Sequence, residues 1–213
     1  MEFHFDINGT ILGIDSFDKK PLRDSLLELF CRSIDVKGNY VEDFCETYYS
    51  HNRNIGLDKN FTKNVLDVFP HLIEDFERLL NNFPMGLFES FIEVINKYIK
   101  TNKGILILRT FGSDGGLVRK ILKDDHDIEL IDCNPSQIKD YRDKHLFVQE
   151  DYKRWNQNKK KVEFGKIIEK SDRIVYGFDD NNCMHTDDLE VNIFRVNAIR
   201  AMSDKDYFLN KLL

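Results

Sequence analysis

The opening segment of the chain limits most strongly what it can fold into. Residues 2–7 form an apolar run that contains Asp6, and Gly9 and Thr10 follow almost at once. A short apolar run is typical of a buried β-strand, and a glycine directly after it favours a tight turn. The segment therefore predicts a carboxylate at the carboxyl edge of a sheet, where open α/β folds bind their ligands.

Strand-like and helix-like patterns alternate along the second half of the chain. Strand-like runs lie at residues 105–108, 128–131, 146–148, 173–178 and 191–196, with helical patterns near 117–123 and 152–158 and a helix at the end of the chain. Such alternation predicts an α/β fold, with a Rossmann-like, mostly parallel sheet and helices on both of its faces.

The segment between the first two strand patterns differs from the rest. Residues 21–100 carry apolar positions at helical spacing, most clearly over 88–99, and no convincing strand pattern. We therefore expect an all-helical cap domain over residues 16–100, inserted after the first core strand. Residues 1–15 and 101–213 are expected to form the core domain.

The composition narrows the possible partners. The formal net charge of −6 disfavours general binding to nucleic acid or to a membrane surface, because phosphate-rich surfaces attract basic ones. No apolar run reaches the length of about 18 residues that a membrane span needs, and no secretory signal pattern opens the chain. The four cysteines form no C-x-x-C pair, as expected for reduced thiols. We expect a cytoplasmic monomer or homodimer that binds a small molecule.

Three strand-like runs end in polar residues that can carry chemistry. The first delivers Asp6, the second delivers Arg109 and Thr110, and the third delivers Asp179 and Asp180. In a parallel sheet these ends meet at one edge, so the three sets are expected to share a site.

This ordered set, with a helical insert between its first two members, resembles the haloacid dehalogenase-like hydrolases. The first signature of that family is an apolar strand, Asp-x-Asp, Gly, Thr and an apolar pair. Residues 3–12 match it at every position except Asn8, where the family has its second Asp. The resemblance covers residues 1–15 and about 103–200. It implies Mg²⁺-dependent hydrolysis, most often of a small phosphorylated molecule, beneath a helical cap.

The resemblance also implies roles for individual residues. Asp6 would be the nucleophile that forms an aspartyl-phosphate, and Asp6 and Asp179 would hold Mg²⁺ together. Asp180 would either complete the metal shell or orient its waters, and Asn8 would reach the metal through its backbone carbonyl. The Thr110 hydroxyl would bind a phosphoryl oxygen.

A basic residue and a glycine-rich loop complete the expected site. The family needs a positive charge before the last signature, and Lys166, thirteen residues before Asp179, is the favoured residue, with Lys161 as the alternative. Gly112 lies in a loop that leads into a helix, where free N–H groups favour anions. Arg109 either clamps an anionic substrate or forms a structural salt bridge.

Asn8 leaves the chemistry open. An amide cannot move a proton as the family's acid-base Asp does, and a positioned general acid-base contributes about 10²–10⁴-fold to rate. Three interpretations compete: a phosphatase whose proton comes from elsewhere, a hydrolase of C–halogen or C–P bonds, and an inactive module that binds a phosphorylated ligand.

The insert allows further alternatives. The polar segment 48–60 is either a substrate loop or an ordinary surface connection, and residues 18–20 form either an anion contact or a solvated charge cluster. The cap helices can also serve as the binding face of a non-enzymatic interaction protein.

Overall fold

The protein is built around a parallel sheet in the computed structural model, which describes residues 1–13 and 20–212. The described strands are, in chain order, β1 (Glu2–Phe5), β2 (Ile105–Thr110), β3 (Ile131–Cys133), β4 (Leu146–Gln149), β5 (Lys166–Ile167), β6 (Val175–Asp179), β7 (Met184–His185) and β8 (Val191–Arg195). Six of them form one sheet in the order β3-β4-β2-β1-β6-β8, while β5 and β7 pair separately.

Helices cover the sheet and fill the segment between β1 and β2. The described α-helices are α1 (Leu22–Ser33), α2 (Tyr48–Asn54), α3 (Val65–Val68), α4 (Ile73–Asn81), α5 (Glu89–Val94), α6 (Gly115–His126), α7 (Tyr152–Gln157) and α8 (Ala198–Ser203). A π-helical turn, Ile95–Ile99, extends α5. Short 3₁₀ turns occupy Lys59–Thr62, Pro70–Leu72, Pro135–Tyr141, Val162–Phe164 and Leu209–Lys211.

The register of the sheet decides which side chains share an edge. Every described strand pair is parallel, and Phe5 of β1 lies opposite both Leu108 of β2 and Phe178 of β6. The strands therefore end at nearly the same level, and the residues that follow them meet at one edge. The expected α/β fold with a mostly parallel sheet is confirmed.

The helices pack into two main hydrophobic clusters. The cluster beneath the sheet joins β1, β2 and β6 to α5, α6 and the end of the chain. The second cluster joins α1, α3 and α4 to α8, so most of the helical insert has a core of its own. Phe91 and Val94 of α5 belong to the first cluster, so this helix packs against the sheet.

Several predicted boundaries differ from the structure. The division predicted at residue 100 follows α5, and α5 packs against the sheet. The strand expected over 128–131 begins only at Ile131, since Ile128 and Leu130 insert into the core ahead of it. Within the segment 48–60, which was expected to be a loop, the chain forms α2 and a 3₁₀ turn.

Some expectations concern residues outside the described ranges. The boundary between core and insert at residues 15 and 16, and most of the charge cluster at 18–20, fall in residues 14–19. Among the described residues, no helix is long and apolar enough to cross a membrane.

The aromatic stack around β1 generates a prediction about stability. Phe5 is fully buried, and its ring lies 4.6 Å from that of Phe178, 5.0 Å from Phe91 and 5.1 Å from Phe208, measured between centroids. We expect Phe5→Ala to lower the free energy of unfolding by about 3–5 kcal/mol, because it leaves a cavity in this stack. Urea denaturation measures the loss.

The matched control is Leu189→Ala, which truncates a fully exposed side chain and should change the free energy of unfolding by less than about 0.5 kcal/mol. If Phe5→Ala and Leu189→Ala both lower the free energy of unfolding by the same small amount, the described packing around β1 is contradicted.

Candidate functional site

The carboxyl ends of β1 and β6 bring two acidic side chains to one lysine. Asp6 directly follows β1, and Asp179 is the last residue of β6. Lys166 begins β5, and its Nζ lies 2.6 Å from Asp6 Oδ1 and 2.8 Å from Asp179 Oδ2. All three side chains are buried, so the amine holds together two carboxylates that would otherwise repel each other.

A tight turn after β1 brings a third carboxylate close. The Ile7 carbonyl accepts a hydrogen bond from the N–H of Thr10, and Thr10 Oγ1 accepts one from the N–H of Asp180. Gly9 has a φ of +75°, and a Cβ there would lie 2.5 Å from Asp180 Oδ2. Gly9 is therefore needed both for the backbone conformation and for the approach of Asp180.

The three carboxylates form a cluster with the chemistry of a divalent-cation site. One oxygen from each of Asp6, Asp179 and Asp180 lies within 4.8 Å of the others. Carboxylate oxygens are the donors that Mg²⁺ prefers, and this ion needs few protein ligands because it keeps several waters. Lys166 neutralises one of the three negative charges, so the cluster still attracts a cation. The donor set fits Mg²⁺.

Burial shifts the protonation of these groups. It raises the pKa of Asp6 to about 6, although the charge of Lys166 opposes the shift. Burial and the neighbouring Asp6 raise the pKa of Asp180 to about 7, and burial also raises the pKa of Asp179. Burial alone would lower the pKa of Lys166, but the two carboxylates that it contacts raise it well above its ordinary value. The amine therefore stays charged, while Asp6 and Asp180 take up protons at a higher pH than ordinary carboxyls do.

The loop after β2 lies against the turn after β1. Thr110 ends β2, is buried, and accepts a hydrogen bond at Oγ1 from the N–H of Gly112 at 2.9 Å. A Cβ at Gly112 would lie 2.9 Å from Asn8 Nδ2, so only glycine allows this contact without a shift. The loop leads into α6, whose first N–H groups favour an anion.

Asn8 carries an unsatisfied polar atom. Its Oδ1 is buried and has no hydrogen-bond partner among the described residues, while its Nδ2 faces Gly112. An unpaired buried acceptor costs about 1–3 kcal/mol. A ligand that donates a hydrogen bond beside the loop after β2 would satisfy this atom.

Arg109 does not take part in the site, and its predicted role in substrate binding is not supported. Side chains alternate along β2, so Arg109 projects from the opposite face to Thr110. Its Nε donates to Glu150 Oε1 at 2.6 Å, and its Nη1 donates to the Ile167 carbonyl at 2.7 Å. The fully buried guanidinium forms the structural salt bridge that was the alternative prediction.

The site opens into a cleft of about 1410 Å³ between the sheet edge and the helical insert. Asp6, Thr110 and Lys166 lie along one side of it, and Arg32 of α1 and Tyr49 of α2 lie along the other. The remaining predicted site residues that line it are Asn8, Gly112 and Asp180. Lys161, the alternative basic residue, is exposed and is not among the residues that line the cleft.

Sequence reasoning missed several polar groups of this cleft. Arg32 Nη1 donates to Asn181 Oδ1 at 3.2 Å, and its charge opposes the upward shift in the pKa of Asp180. Cys183 Sγ lies 3.1 Å from Asp179 Oδ2. A lone cysteine and an arginine on an amphipathic helix give no signal of this kind, because tertiary packing alone brings them to the cleft.

Comparisons with protein-family models, with curated proteins and with solved structures find no match to this chain. The assignment of a function therefore depends on the geometry and chemistry of the cleft.

The raised pKa values generate a prediction about cation binding. A divalent cation competes with protons on Asp6 and Asp180, so we expect Mg²⁺ affinity to fall as the pH is lowered through 7 and 6. In the pH range where one carboxyl takes up one proton, the Mg²⁺ affinity falls by up to about tenfold per pH unit. Calorimetric titration between about pH 5.5 and about pH 8 measures it.

Two variants sharpen this test. Asp180→Asn should flatten the upper part of the pH dependence and weaken Mg²⁺ binding, whereas Asp172→Asn, an exposed surface control, should change neither. Affinity that stays constant across the range would show that these carboxyls do not hold the ion.

Proposed function

We propose that this chain is a Mg²⁺-dependent phosphatase of the haloacid dehalogenase-like type, acting on a small phosphorylated molecule through an aspartyl-phosphate. The observation that carries the proposal is the contact of Lys166 Nζ with both Asp6 and Asp179, at the same sheet edge as Thr110. A carboxylate, a positive charge and a hydroxyl lie around one opening, and this arrangement supports the binding of a phosphoryl group there.

Asp6 is the proposed nucleophile. Lys166 holds its Oδ1 by an ion pair at 2.6 Å, which opposes the upward pKa shift caused by burial and favours the carboxylate form. A carboxylate oxygen of Asp6 forms a bond to phosphorus while the ester P–O bond breaks and its electron pair leaves with the alcohol oxygen. Water then attacks the phosphorus of the aspartyl-phosphate, releasing inorganic phosphate and restoring Asp6.

The groups around Asp6 mainly offset the negative charge of the carboxylates and of the phosphoryl group. Mg²⁺ held by Asp6, Asp179 and Asp180 would supply positive charge that attracts the phosphoryl group and offsets its repulsion from the carboxylates. Lys166 supplies a further fixed charge, and the Thr110 hydroxyl and the N–H groups of the loop after it supply hydrogen bonds to phosphoryl oxygens.

The helical insert is the proposed cap. Helices α1 and α2 line the cleft opposite the sheet edge and present Arg32, Tyr49 and Arg53 to it. Such an insert excludes water from the reacting group and contacts the part of the substrate that is not phosphate.

A second candidate function follows from Asn8, which occupies the acid-base position of the resemblance. Its amide can donate and accept hydrogen bonds but cannot transfer a proton to the leaving oxygen. If no other group or water supplies that proton, the same cleft binds a phosphorylated ligand and Mg²⁺ without turnover.

The hydrolysis of p-nitrophenyl phosphate tests the proposal most simply, because nitrophenolate leaves without being protonated. We expect Mg²⁺-dependent release of nitrophenolate by the wild-type protein. Replacing the nucleophile in Asp6→Asn should reduce this turnover by at least about a thousandfold, while Asp172→Asn should leave it unchanged. Equal turnover by Asp6→Asn would exclude Asp6 as the nucleophile.

Restoring the carboxylate at position 8 separates the two candidate functions. We expect Asn8→Asp to speed the hydrolysis of an alkyl phosphate such as glycerol phosphate by about 10²–10⁴-fold, since the leaving alkoxide then receives a proton. Steady-state release of inorganic phosphate measures the gain, and Asn192→Asp, an exposed site with the same charge change, serves as control. No hydrolysis of either ester by wild type or by Asn8→Asp, together with measurable binding, would favour the binding module.

A further inference from the structure

The wall of the cleft beside Lys166 is aromatic. Phe111, Tyr152 and Trp155 line the same cleft as Asp6. The rings of Phe111 and Trp155 are stacked, with centroids 4.7 Å apart and an interplanar angle of 7°, and Tyr152 lies edge-on to both at 6.1 Å. Neither the proposed nucleophile nor the proposed cation site needs these rings.

We propose that this aromatic wall binds a planar heterocycle of the substrate, an inference that rests on the proposed function. The substrates would then be nucleoside monophosphates. The wall begins at the phosphate site, because Lys166 Nζ is 2.6 Å from Asp6 Oδ1 and 5.3 Å from the centre of the Phe111 ring. A short linker such as a pentose therefore joins a phosphate at Asp6 to a ring against the wall.

The accessible ring of the wall is that of Tyr152. Phe111 has Trp155 against one face and Lys166 near its ring, so it serves as support. Tyr152 is 47% exposed, and the ring face turned away from Lys160 is the one proposed for stacking. Bases stack on aromatic side chains with little sequence preference, since every base has a π-face.

One buried donor in the wall has no partner in the part of the chain that the structure describes. Trp155 Nε1 is buried and has no hydrogen-bond partner among the described residues. An indole N–H can only donate, and leaving it unpaired is costly. Carbonyl oxygens and ring nitrogens of a heterocycle are acceptors of the required kind, whereas a hydrocarbon ring offers none.

The charges around the wall disfavour a cationic ligand. Lys160 Nζ lies 5.8 Å from the centre of the Tyr152 ring and 5.4 Å from that of Trp155, so the wall already carries a positive charge that repels a second cation. On the opposite wall, Arg53 and Asn54 of α2 line the cleft with polar groups suited to ribose hydroxyls and base edges.

The chain offers an internal reporter, because Trp155 is its single tryptophan. We expect uridine monophosphate, added with Mg²⁺, to quench Trp155 fluorescence saturably and to bind at least about tenfold more tightly than ribose phosphate. Release of inorganic phosphate, measured in parallel, shows how much of the nucleotide is hydrolysed during the titration.

Variants of Tyr152 test the wall without disturbing the phosphate site. Tyr152→Ala should weaken the binding of uridine monophosphate by about 5- to 100-fold and leave the calorimetric affinity for inorganic phosphate unchanged. Tyr152→Phe keeps the ring and should bind as wild type does. Lys153→Ala, exposed on the same helix and outside the cleft lining, controls for effects on α7.

The outcomes distinguish the failure of this inference from failure of the proposed function. If the nucleotide and ribose phosphate bind with equal affinity, or if Tyr152→Ala leaves nucleotide binding unchanged, the aromatic site is overturned. The proposed phosphate site is kept in either case, provided that inorganic phosphate still binds. Tighter binding of phosphocholine than of uridine monophosphate would show that the wall receives a cation and would overturn the inference too. If neither inorganic phosphate nor any of these esters binds to the protein, both the aromatic site and the proposed function are overturned.

Discussion

The ion-paired triad of Lys166 with Asp6 and Asp179 is the interaction on which the site depends. Two buried carboxylates at the ends of neighbouring strands repel each other, and without a counter-charge one of them would take up a proton. The amine contacts both, at 2.6 and 2.8 Å. Asp180 adds a further carboxylate, and in the proposed function the remaining negative charge attracts the cation that helps to bind an anionic substrate.

The arrangement of the strands brings Lys166, Asp6 and Asp179 together. β1 is central, with β2 and β6 on either side, and aromatic packing around Phe5 holds the three strands together beneath the edge. Because all pairs are parallel, strands distant in sequence deliver their last residues to one place. The small pair β5-β7 then carries Lys166 to that edge. The helical insert closes the other side of the cleft.

The position of Asp6, Thr110 and Asp179 at one sheet edge can be predicted from sequence because each of these residues follows or ends an apolar run. The position of Lys166 beside them follows from the family resemblance together with its spacing from Asp179. Arg109 follows the same kind of run, but the alternation of side chains turns it to the other face, towards Glu150.

The remaining parts of the cleft depend on contacts between distant segments. Trp155 and Arg32 belong to ordinary helices, and only their tertiary packing brings them to the cleft. The packing partner of α5 could not be predicted for a related reason. The apolar face of α5 shows that the helix is buried, but it does not show against which cluster. Periodicity identifies a buried face and leaves its partner undetermined.

A crystal structure with Mg²⁺ and beryllium fluoride, a mimic of a phosphoryl group, tests the central claim most directly. Electron density for the fluoride adduct on the Asp6 carboxylate, with an ion at Asp179 and the fluorines against Thr110 and Lys166, is the predicted result. An ion or adduct bound elsewhere, with Lys166 still paired to an unmodified Asp6 under saturating ligand, would contradict a phosphoryl-transfer site at this edge of the sheet.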